Sequence, residues 1–436
     1  MKLTAPTRRT ALFTAALALL AASVILSTPT NNTYAGPSLS PYPHGKNFAF
    51  TITDDPDNAT LENMMPIYDF LSTIGLKTTI AVWVRNPERS NGMPDTPRQW
   101  RHPPDSCHRP EYLAYLKQLQ AKGFEIALHT VSAGNDVRAI TAAGYEDFRR
   151  LFSYYPRINI MHSNNLENVY WGPNIVANSR IRSMIRLLPG KARYPWGGDD
   201  PKSMYFWGDI LKAHTKYVRL WGTADINTLK FNPSMPYHNP DTPYVNYWFS
   251  FSDGWNGKTF LLLTSHANIE RLVNERGASI VYAHLSASKE LCSVGGLNPR
   301  FVDQMLFLAS RKDGWFVTAS ELLNRLLLMK YIICFSAKGR TVVFNSAAGA
   351  VDGVTLRVRP NEVWRQADGS LQAANDEGEL LLGNLGPGRV LLLQTGVSAD
   401  PGVGIAPGSW ERLKMIVTRV FLYLKHSIHR AYSRVG

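Results

Sequence analysis

Short runs of β-branched and aromatic residues alternate with amphipathic stretches along most of the chain, from Asn47 to Leu328. The stretches Thr60–Ile74, Arg109–Lys122 and Asp136–Phe152 have helical spacing, and each follows one of these runs. Alternation of this kind predicts an α/β fold, and seven or eight strand–helix units are typical of a distorted (β/α) barrel. The predicted strands are Asn47–Thr53, Lys77–Val84, Phe124–Leu128, Arg157–Met161, Ala192–Trp196, Tyr217–Trp221, Thr259–Leu263 and Ser279–Ala283.

The pattern changes near residue 330. From there to about residue 396, strand-like runs are separated by turn-rich stretches, and no helical pattern lies between them. This predicts a small antiparallel β module with an accessory or packing role, because no chemically distinctive residues stand out in it. The runs are Tyr331–Ser336, Thr341–Asn345, Gly353–Val358, Glu379–Leu382 and Arg389–Gln394.

Residues 1–35 have the pattern of an export signal. Lys2, Arg8 and Arg9 precede the apolar run Ala11–Leu26, and Thr33-Tyr34-Ala35 supplies small residues at a cleavage position. The apolar run is short for a membrane span. We therefore expect cleavage after Ala35, so that the mature protein begins near Gly36 with a barrel over residues 36–330. The protein would then act outside the cytoplasm, in a periplasm or the extracellular space.

The other end of the chain carries a second basic segment. A Pro/Gly-rich linker at 397–408 precedes residues 409–436, in which apolar positions recur at helical spacing and basic residues lie on the other side. A basic amphipathic helix fits an anionic membrane surface, and it equally fits a terminal helix packed on its own domain. The sequence leaves both alternatives open.

Composition narrows the function classes. The chain has 436 residues, 44% of them hydrophobic and 19% charged, so it can bury a large core. Of its net charge of +13, residues 1–35 carry +3 and residues 409–436 carry +5. A nucleic-acid-binding protein would concentrate basic residues in its main domain, so this partner is not expected. Of three cysteines, Cys107 and Cys292 lie in polar loops expected at one rim, where an oxidising compartment would let them pair.

Polar residues stand where the predicted strands end. In a parallel barrel these ends meet on one face, which carries the active site. Adjacent carboxylates at Asp54 and Asp55 repel each other unless a positive group shares the site, and a divalent metal on one with the other as a base resolves that conflict. Alternatively, Asp-Asp-Pro-Asp simply begins a helix. The remaining strand-end residues are His129, His162, Arg193 and His284.

Four segments in order resemble the motifs of the polysaccharide deacetylases, metal-dependent hydrolases that remove acetyl groups from chitin, peptidoglycan and related glycans. The resemblance covers about residues 45–328 and implies a divergent member of this family with a (β/α) barrel, acting on an exported or cell-wall polysaccharide. The segments are Phe48–Asp55, Gly123–Ser132, Arg193–Gly197 and Ile280–Leu285.

The resemblance also implies residue roles. Asp55 and His129 would bind the metal, zinc or another divalent transition metal, which activates water. Asp54 would be the general base, held ionised by Arg193.

Two further roles follow from the resemblance. The backbone N–H of Trp196 would help to hold the oxyanion, and His284 would protonate the leaving group.

The chain departs from the family at Ala133, where a second metal-binding histidine is normal. Two protein ligands are too few for a catalytic zinc site. We expect His162 to replace that histidine, because consecutive parallel strands joined by a helical crossover usually lie side by side.

Two alternatives stay open. One is a decayed barrel that binds carbohydrate or regulates, and the other is a glycoside hydrolase, for which no distant second carboxylate is obvious. The oligomeric state cannot be read from the sequence.

Overall fold

A computed structural model describes residues 36–86, 104–163, 165–188, 194–293, 295–337 and 339–395. The chain divides into two compact units. One is Lys46–Lys330, and the other joins residues up to Gly45 with those from Tyr331 onward. The predicted export signal at 1–35, the linker at 397–408 and the basic helix at 409–436 lie outside the described residues.

The larger unit is a closed barrel of seven parallel strands. Strand β2 pairs with β3 on one side and with β8 on the other, which closes the sheet. Nearly all strand residues before β6 are buried, because helices cover the outside of the barrel and side chains fill its interior. After a two-residue strand β1 (Ser38–Leu39), which belongs to the smaller unit, the barrel strands are β2 (Phe48–Asp54), β3 (Thr79–Val82), β4 (Glu125–Leu128), β5 (Ile158–Asn159), β6 (Tyr217–Thr223), β7 (Tyr247–Gly254) and β8 (Ala278–Ala283).

Helices connect the strands, and their apolar faces pack on the barrel. The first, α1, is closed at its start by a reciprocal capping box between Thr60 and Asn63, which satisfies two otherwise unpaired backbone groups. The helices are α1 (Leu61–Thr73), α2 (Pro110–Ala121), α3 (Arg138–Phe152), α4 (Ser179–Ile185), α5 (Gly208–His214), α6 (Thr228–Phe231), α7 (Gly257–Leu263), α8 (His266–Asn274), α9 (Pro299–Ala309) and α10 (Ala319–Met329).

The predicted (β/α) barrel is confirmed, with seven strands in the closed ring. Between β8 and the end of the unit, a hairpin of β9 (Cys292–Ser293) and β10 (Gly296–Leu297) precedes α9. A further strand, β11 (Gly314–Phe316), then pairs in parallel with Phe48–Phe50 of β2. The predicted disulfide between Cys107 and Cys292 does not form. Cys107 is a free thiol buried in the barrel core, and Cys292 is a free thiol in β9.

Two of the predicted strands are wrong. Thr259–Leu263 lies in helix α7, although its composition favours a strand. Asn256 and Thr259 form a capping box at its start, so the local hydrogen bonds favour a helix over the β propensity of the run. In the other predicted strand, Ala192–Trp196, residues 194–196 are not strand, and residues 192 and 193 lie outside the described part of the chain. The fold instead uses Tyr247–Gly254 as β7, a run of aromatic and small polar residues.

The loop between α4 and α5 is pressed against the chain that follows β5. The indole of Trp207 donates a hydrogen bond to the carbonyl of Glu167, and Gly197 N–H donates to Leu166 at 2.8 Å. A methyl group added at Gly198 would lie 1.9 Å from the carbonyl oxygen of Glu167, a backbone atom that cannot swing aside.

Replacing Gly198 by alanine is therefore expected to lower the free energy of unfolding by about 2 kcal/mol or more. Gly295→Ala is the matched control, because the nearest atom to its added methyl group would be 3.8 Å away. Urea denaturation of the two variants measures the difference. Equal midpoints would show that the loop is not closely packed there.

The smaller unit consists of two antiparallel sheets. Strands β12, β13, β18, β15 and β16 form one in that order, and β1, β14 and β17 form the other. Each of the five predicted runs overlaps a strand, three of them extending one residue beyond it, so the predicted antiparallel module is confirmed. The strands are β12 (Ile332–Ala337), β13 (Arg340–Asn345), β14 (Val351–Arg357), β15 (Val363–Gln366), β16 (Leu371–Ala373), β17 (Glu379–Leu385) and β18 (Val390–Thr395). Across the described residues of both units, no helix is long and apolar enough to cross a bilayer.

Candidate metal centre and cavity

Three carboxylates leave the end of β2 within four residues. Asp54 is the last residue of the strand, and the backbone N–H of Asp55 continues the ladder to β8 by donating to Ala283 at 2.9 Å. Pro56 then turns the chain, so Asp57 lies above the strand ends, with 17% of its side chain exposed. The carboxyl ends of parallel strands share one face of the barrel, so these groups meet the residues that follow β4, β5 and β8.

Asp57, His129 and His162 are arranged as a metal-ligand set. One ligand atom from each lies within 4.8 Å of the others. Asp57 carries one carboxylate oxygen 3.2 Å from Nε2 of His129 and the other 3.3 Å from Nε2 of His162. The buried indole of Trp83 packs against both imidazole rings, with centroid distances of 5.6 and 5.8 Å. Two histidines and a carboxylate are the usual protein ligands of a catalytic zinc ion, which keeps a fourth position for water.

His129 supplies the test of whether these residues fit a metal. Its side chain is 2% exposed, and neither ring nitrogen has a partner in hydrogen-bond geometry among the described residues. An unsatisfied buried polar group is costly. Coordination of a cation at Nε2, beside Asp57, would satisfy that nitrogen and remove its share of the cost. The residues present therefore fit a divalent metal.

His162 is held in the tautomer that a metal ligand needs. The side-chain amide of Asn165 donates to Thr130 Oγ1, the Ser132 carbonyl and Glu167 Oε1, at 3.1, 3.1 and 2.6 Å. Its oxygen must therefore face His162 Nδ1, 2.7 Å away, and accept a hydrogen bond from it. In the neutral ring the proton is then on Nδ1, and the lone pair of Nε2 points toward Asp57. Metal-binding histidines commonly have such a partner on the other ring nitrogen.

Replacing Asn165 by leucine is expected to raise the metal dissociation constant about 10- to 100-fold, because the ring of His162 loses the acceptor that orients it. Asn165→Asp is the conservative comparison, since its carboxylate still accepts from Nδ1. It should retain more of the metal affinity than the leucine variant does. Competition titration with a chelator measures both values. Equal losses in the two variants would show a role in packing alone.

Asp55 faces a different partner. Arg219 of β6 forms two parallel hydrogen bonds to it, Nη1 to Oδ1 at 2.8 Å and Nη2 to Oδ2 at 2.6 Å. Both side chains are less than a tenth exposed. The guanidinium also lies over the ring of Tyr282, 4.2 Å from its centroid. The nearest imidazole nitrogen to Asp55 is Nδ1 of His129, at 3.8 Å, so the main partner of this carboxylate is an arginine.

Asp54 is buried below the site. It accepts hydrogen bonds from the Tyr68 hydroxyl at 2.6 Å and from the Leu285 backbone N–H at 2.7 Å. Burial raises the pKa of Asp54 to about 7, although both hydrogen bonds act in the opposite direction. It is not among the described residues that line the cavity, and Asp55 is.

His284 lies at the edge of the cavity. Its Nδ1 is 2.7 Å from the carbonyl oxygen of Trp255, to which it donates, so Nε2 faces Asp57 at 3.3 Å. Burial alone would lower the pKa of this imidazole, but the carboxylates of Asp57 and Asp55 outweigh burial and raise it to about 9. The pKa of Asp57 is affected in turn by the imidazoles around it. Burial opposes ionisation of Asp57, yet its pKa lies well below the usual range because His129, His162 and His284 surround it.

Arg193 and Trp196 are also predicted for this site from the sequence. Arg193 lies outside the described residues. Trp196 is buried, and it closes over Gly172, where an added methyl group would meet its ring. Trp196 is not among the described residues that line the cavity, so its proposed oxyanion contact stays a prediction.

A cavity of about 500 Å³ opens above these groups. Its walls are strongly aromatic, and two of its tryptophans, Trp221 and Trp255, are about half exposed at 53% and 51%. Trp221 has a left-handed backbone with φ of 62°, in a strand whose register is irregular at that point. Aromatic side chains around polar groups are typical of a site for a ring-shaped ligand. The aromatic lining residues are Trp171, Trp221, Phe251, Trp255 and Tyr282.

The sequence reasoning missed Asp57 and Arg219. Asp57 follows Asp-Asp-Pro, a pattern also found where a helix begins, so its distance from the strand end hid its role. Arg219 could have been found, because a charged residue inside the apolar run Tyr217–Trp221 must be paired when it is buried.

No protein-family model matches the chain, and no curated protein matches it. Among solved structures, an allantoinase is similar over 69% of this chain and 97% of its own, with 10% identity and a TM-score of 0.37. A peptidoglycan deacetylase from Bacillus subtilis is similar over 65% and 94%, with 12% identity and a TM-score of 0.29.

An acetyl xylan esterase of family 4 from Clostridium thermocellum, solved with a cobalt ion, is similar over 63% and 90%, with 12% identity and a TM-score of 0.29. Deacetylases are thus among the structures matched, as the sequence motifs led us to expect. Identities this low leave the activity to be argued from the geometry of the site.

Proposed function

We propose that this protein is a metal-dependent hydrolase that removes acetyl groups from a polysaccharide outside the cytoplasm. The observation that carries the proposal is buried His129, which lies with Asp57 and His162 in a ligand set. Its ring nitrogens make no well-aligned hydrogen bond among the described residues, and Nε2 lies 3.2 Å from a carboxylate oxygen of Asp57. Zinc, or another divalent transition metal, suits these ligands. When bound, it would supply the Lewis acidity that activates water and polarises an acetyl carbonyl.

In this proposal Asp57, His129 and His162 hold the metal, and Asp55 is the general base. The motif resemblance gives the base role to an aspartate kept ionised by an arginine. Asp55 has an arginine partner, Arg219, through two hydrogen bonds in a buried pair. Each of its oxygens keeps a second lone pair with which to accept a proton from water at the cavity floor. The assignment moves both roles along the chain, from Asp54 to Asp55 for the base and from Asp55 to Asp57 for the ligand.

His284 is the general acid in this proposal. The Trp255 carbonyl fixes the Nδ1 proton, so the second proton of the imidazolium is on Nε2, which faces the cavity. From there it can pass to the nitrogen or oxygen of the leaving sugar as the acetyl bond breaks. The aromatic walls provide apolar surface against which a pyranose ring can pack.

The test is release of acetate from acetylated polysaccharides by the full-length protein. The panel includes acetylated xylan, chitin oligomers and peptidoglycan fragments, each assayed before chelation, after chelation and after metal is restored. We expect acetate from at least one substrate, loss of activity on chelation and its recovery with Zn²⁺. Tight binding of the same glycans with no acetate released under any metal would instead support a carbohydrate-binding barrel.

A further inference from the structure

No side chain is buried in helix α4 or in the three residues after it, Arg186, Leu187 and Leu188. Four aliphatic residues in this short segment are at least half exposed, with values of 50% for Ile181, 68% for Met184, 75% for Leu187 and 57% for Leu188. We call Arg180–Leu188 the 180–188 patch. Single exposed aliphatic residues are ordinary, but a contiguous set marks a surface that another apolar phase covers.

The same patch is strongly basic. Arg180, Arg182 and Arg186 lie among its aliphatic residues, and no acidic residue occurs between Glu167 and Asp199. Arg182 donates to the carbonyl of Val176 at 2.9 Å, and Arg186 donates to the side-chain oxygen of Asn174 at 2.8 Å. These acceptors are neutral, so the hydrogen bonds orient the guanidinium groups without neutralising them, and Asp199 is a carboxylate on which Arg182 acts electrostatically.

We propose that the 180–188 patch docks the barrel on an anionic lipid surface. Aliphatic side chains would enter the boundary between headgroups and acyl chains, and the arginines would reach lipid phosphates while their stems stay in the apolar layer. An anionic lipid surface complements the patch in two ways: its acyl layer accepts the exposed aliphatic side chains, and its phosphates attract the arginines.

Charge complementarity favours this occupant over two others. A second copy docked by the same patch about a two-fold axis would set three arginines against three arginines. The chain's own segment 409–436 carries a net charge of +5, so it too would be repelled.

The patch lies on the same stretch of chain as one wall of the cavity. Trp171 lines the cavity, and the 3₁₀ turn Gly172–Ile175 connects it to α4. Asn174 of that turn accepts the hydrogen bond from Arg186. The patch therefore belongs to the stretch of chain that forms one cavity wall, and docking would bring that wall to the lipid surface.

The experiment is sedimentation of the full-length protein with vesicles of phosphatidylcholine alone, and with vesicles containing about 30% phosphatidylglycerol. We expect binding to the anionic vesicles that weakens in high salt. Replacing both Met184 and Leu187 by glutamate should lower the partition coefficient at least about tenfold, and Arg180→Gln should lower it about fivefold. Circular dichroism should show unchanged folding, because the patch has no buried side chain to lose.

Leu262 and Leu306 are 62% and 47% exposed elsewhere on the barrel. The matched control replaces both by glutamate. The control variant adds the same two negative charges as the patch variant. At high salt, where the effect of these charges is screened, it should bind within about twofold of the wild type. Three outcomes would overturn the proposal. Equal loss in the patch and control variants, or no loss in either, would assign the binding to other segments. A wild-type dimer in sedimentation velocity that the patch variant alone converts to a monomer would make the patch a subunit interface.

Discussion

Asp57→Asn is expected to bind metal at least about a hundredfold more weakly than the wild type and to release no measurable acetate. Loss of an outer partner already costs 10- to 100-fold, and here a direct carboxylate ligand becomes a neutral amide. Both oxygens of Asp57 face imidazole nitrogens, at 3.2 and 3.3 Å, so this carboxylate is the one that lies against both histidines of the ligand set. Metal content after gel filtration and chelator competition measure the affinity.

Asp55→Asn is the matched comparison, because the same change is made two residues earlier on the same turn. It should retain metal within about tenfold and lose activity, since the proposed base is gone while the ligand set is complete. The opposite pattern, with metal lost in Asp55→Asn and kept in Asp57→Asn, would restore Asp55 as the ligand. A His266→Ala variant, altered on the outer helix α8, controls for nonspecific loss of a histidine.

Arg219→Met is expected to lower the free energy of unfolding by about 3–5 kcal/mol and to abolish activity. Removal of one partner leaves the Asp55 carboxylate buried without its two strongest hydrogen bonds, and broken buried pairs typically cost this much. Methionine keeps much of the volume of the arginine stem, so lost packing contributes little. Urea denaturation monitored by tryptophan fluorescence measures the change.

The double variant Arg219→Met with Asp55→Asn separates charge from packing. Because neither buried charge remains, it should recover most of the lost stability while staying inactive. A cost below about 1 kcal/mol for Arg219→Met alone would contradict a tight buried pair, since exposed pairs contribute only that much.

Much of the barrel could be predicted from local patterns, because buried parallel strands and amphipathic helices leave distinct periodicities. The pairing of Leu128 with Asn159 places β4 beside β5, and the rings of His129 and His162 accordingly lie 5.4 Å apart. The reasoning from strand order thus anticipated which histidines would meet. Helix α7 was missed because its five-residue apolar run has strand composition, and only the cap at Asn256 distinguishes it.

The site was harder to predict where roles depend on side-chain direction. Asp54, Asp55 and Asp57 are neighbours in sequence, yet one is bound to Tyr68 and Leu285, one to Arg219, and one faces three histidines. That distribution depends on the turn at Pro56 and on an arginine from β6, 164 residues away. No local pattern records such a long-range pairing, so motif order located the cavity without assigning its carboxylates.

The most direct test of the proposed metal centre is anomalous diffraction from crystals of the full-length protein grown with Zn²⁺, with data collected on both sides of the zinc absorption edge. The account predicts one strong peak on the barrel face, about 2.0–2.2 Å from a carboxylate oxygen of Asp57 and from Nε2 of both His129 and His162. A peak bound instead by Asp55, or crystals grown in excess Zn²⁺ with no peak near His129, would contradict the proposed metal centre.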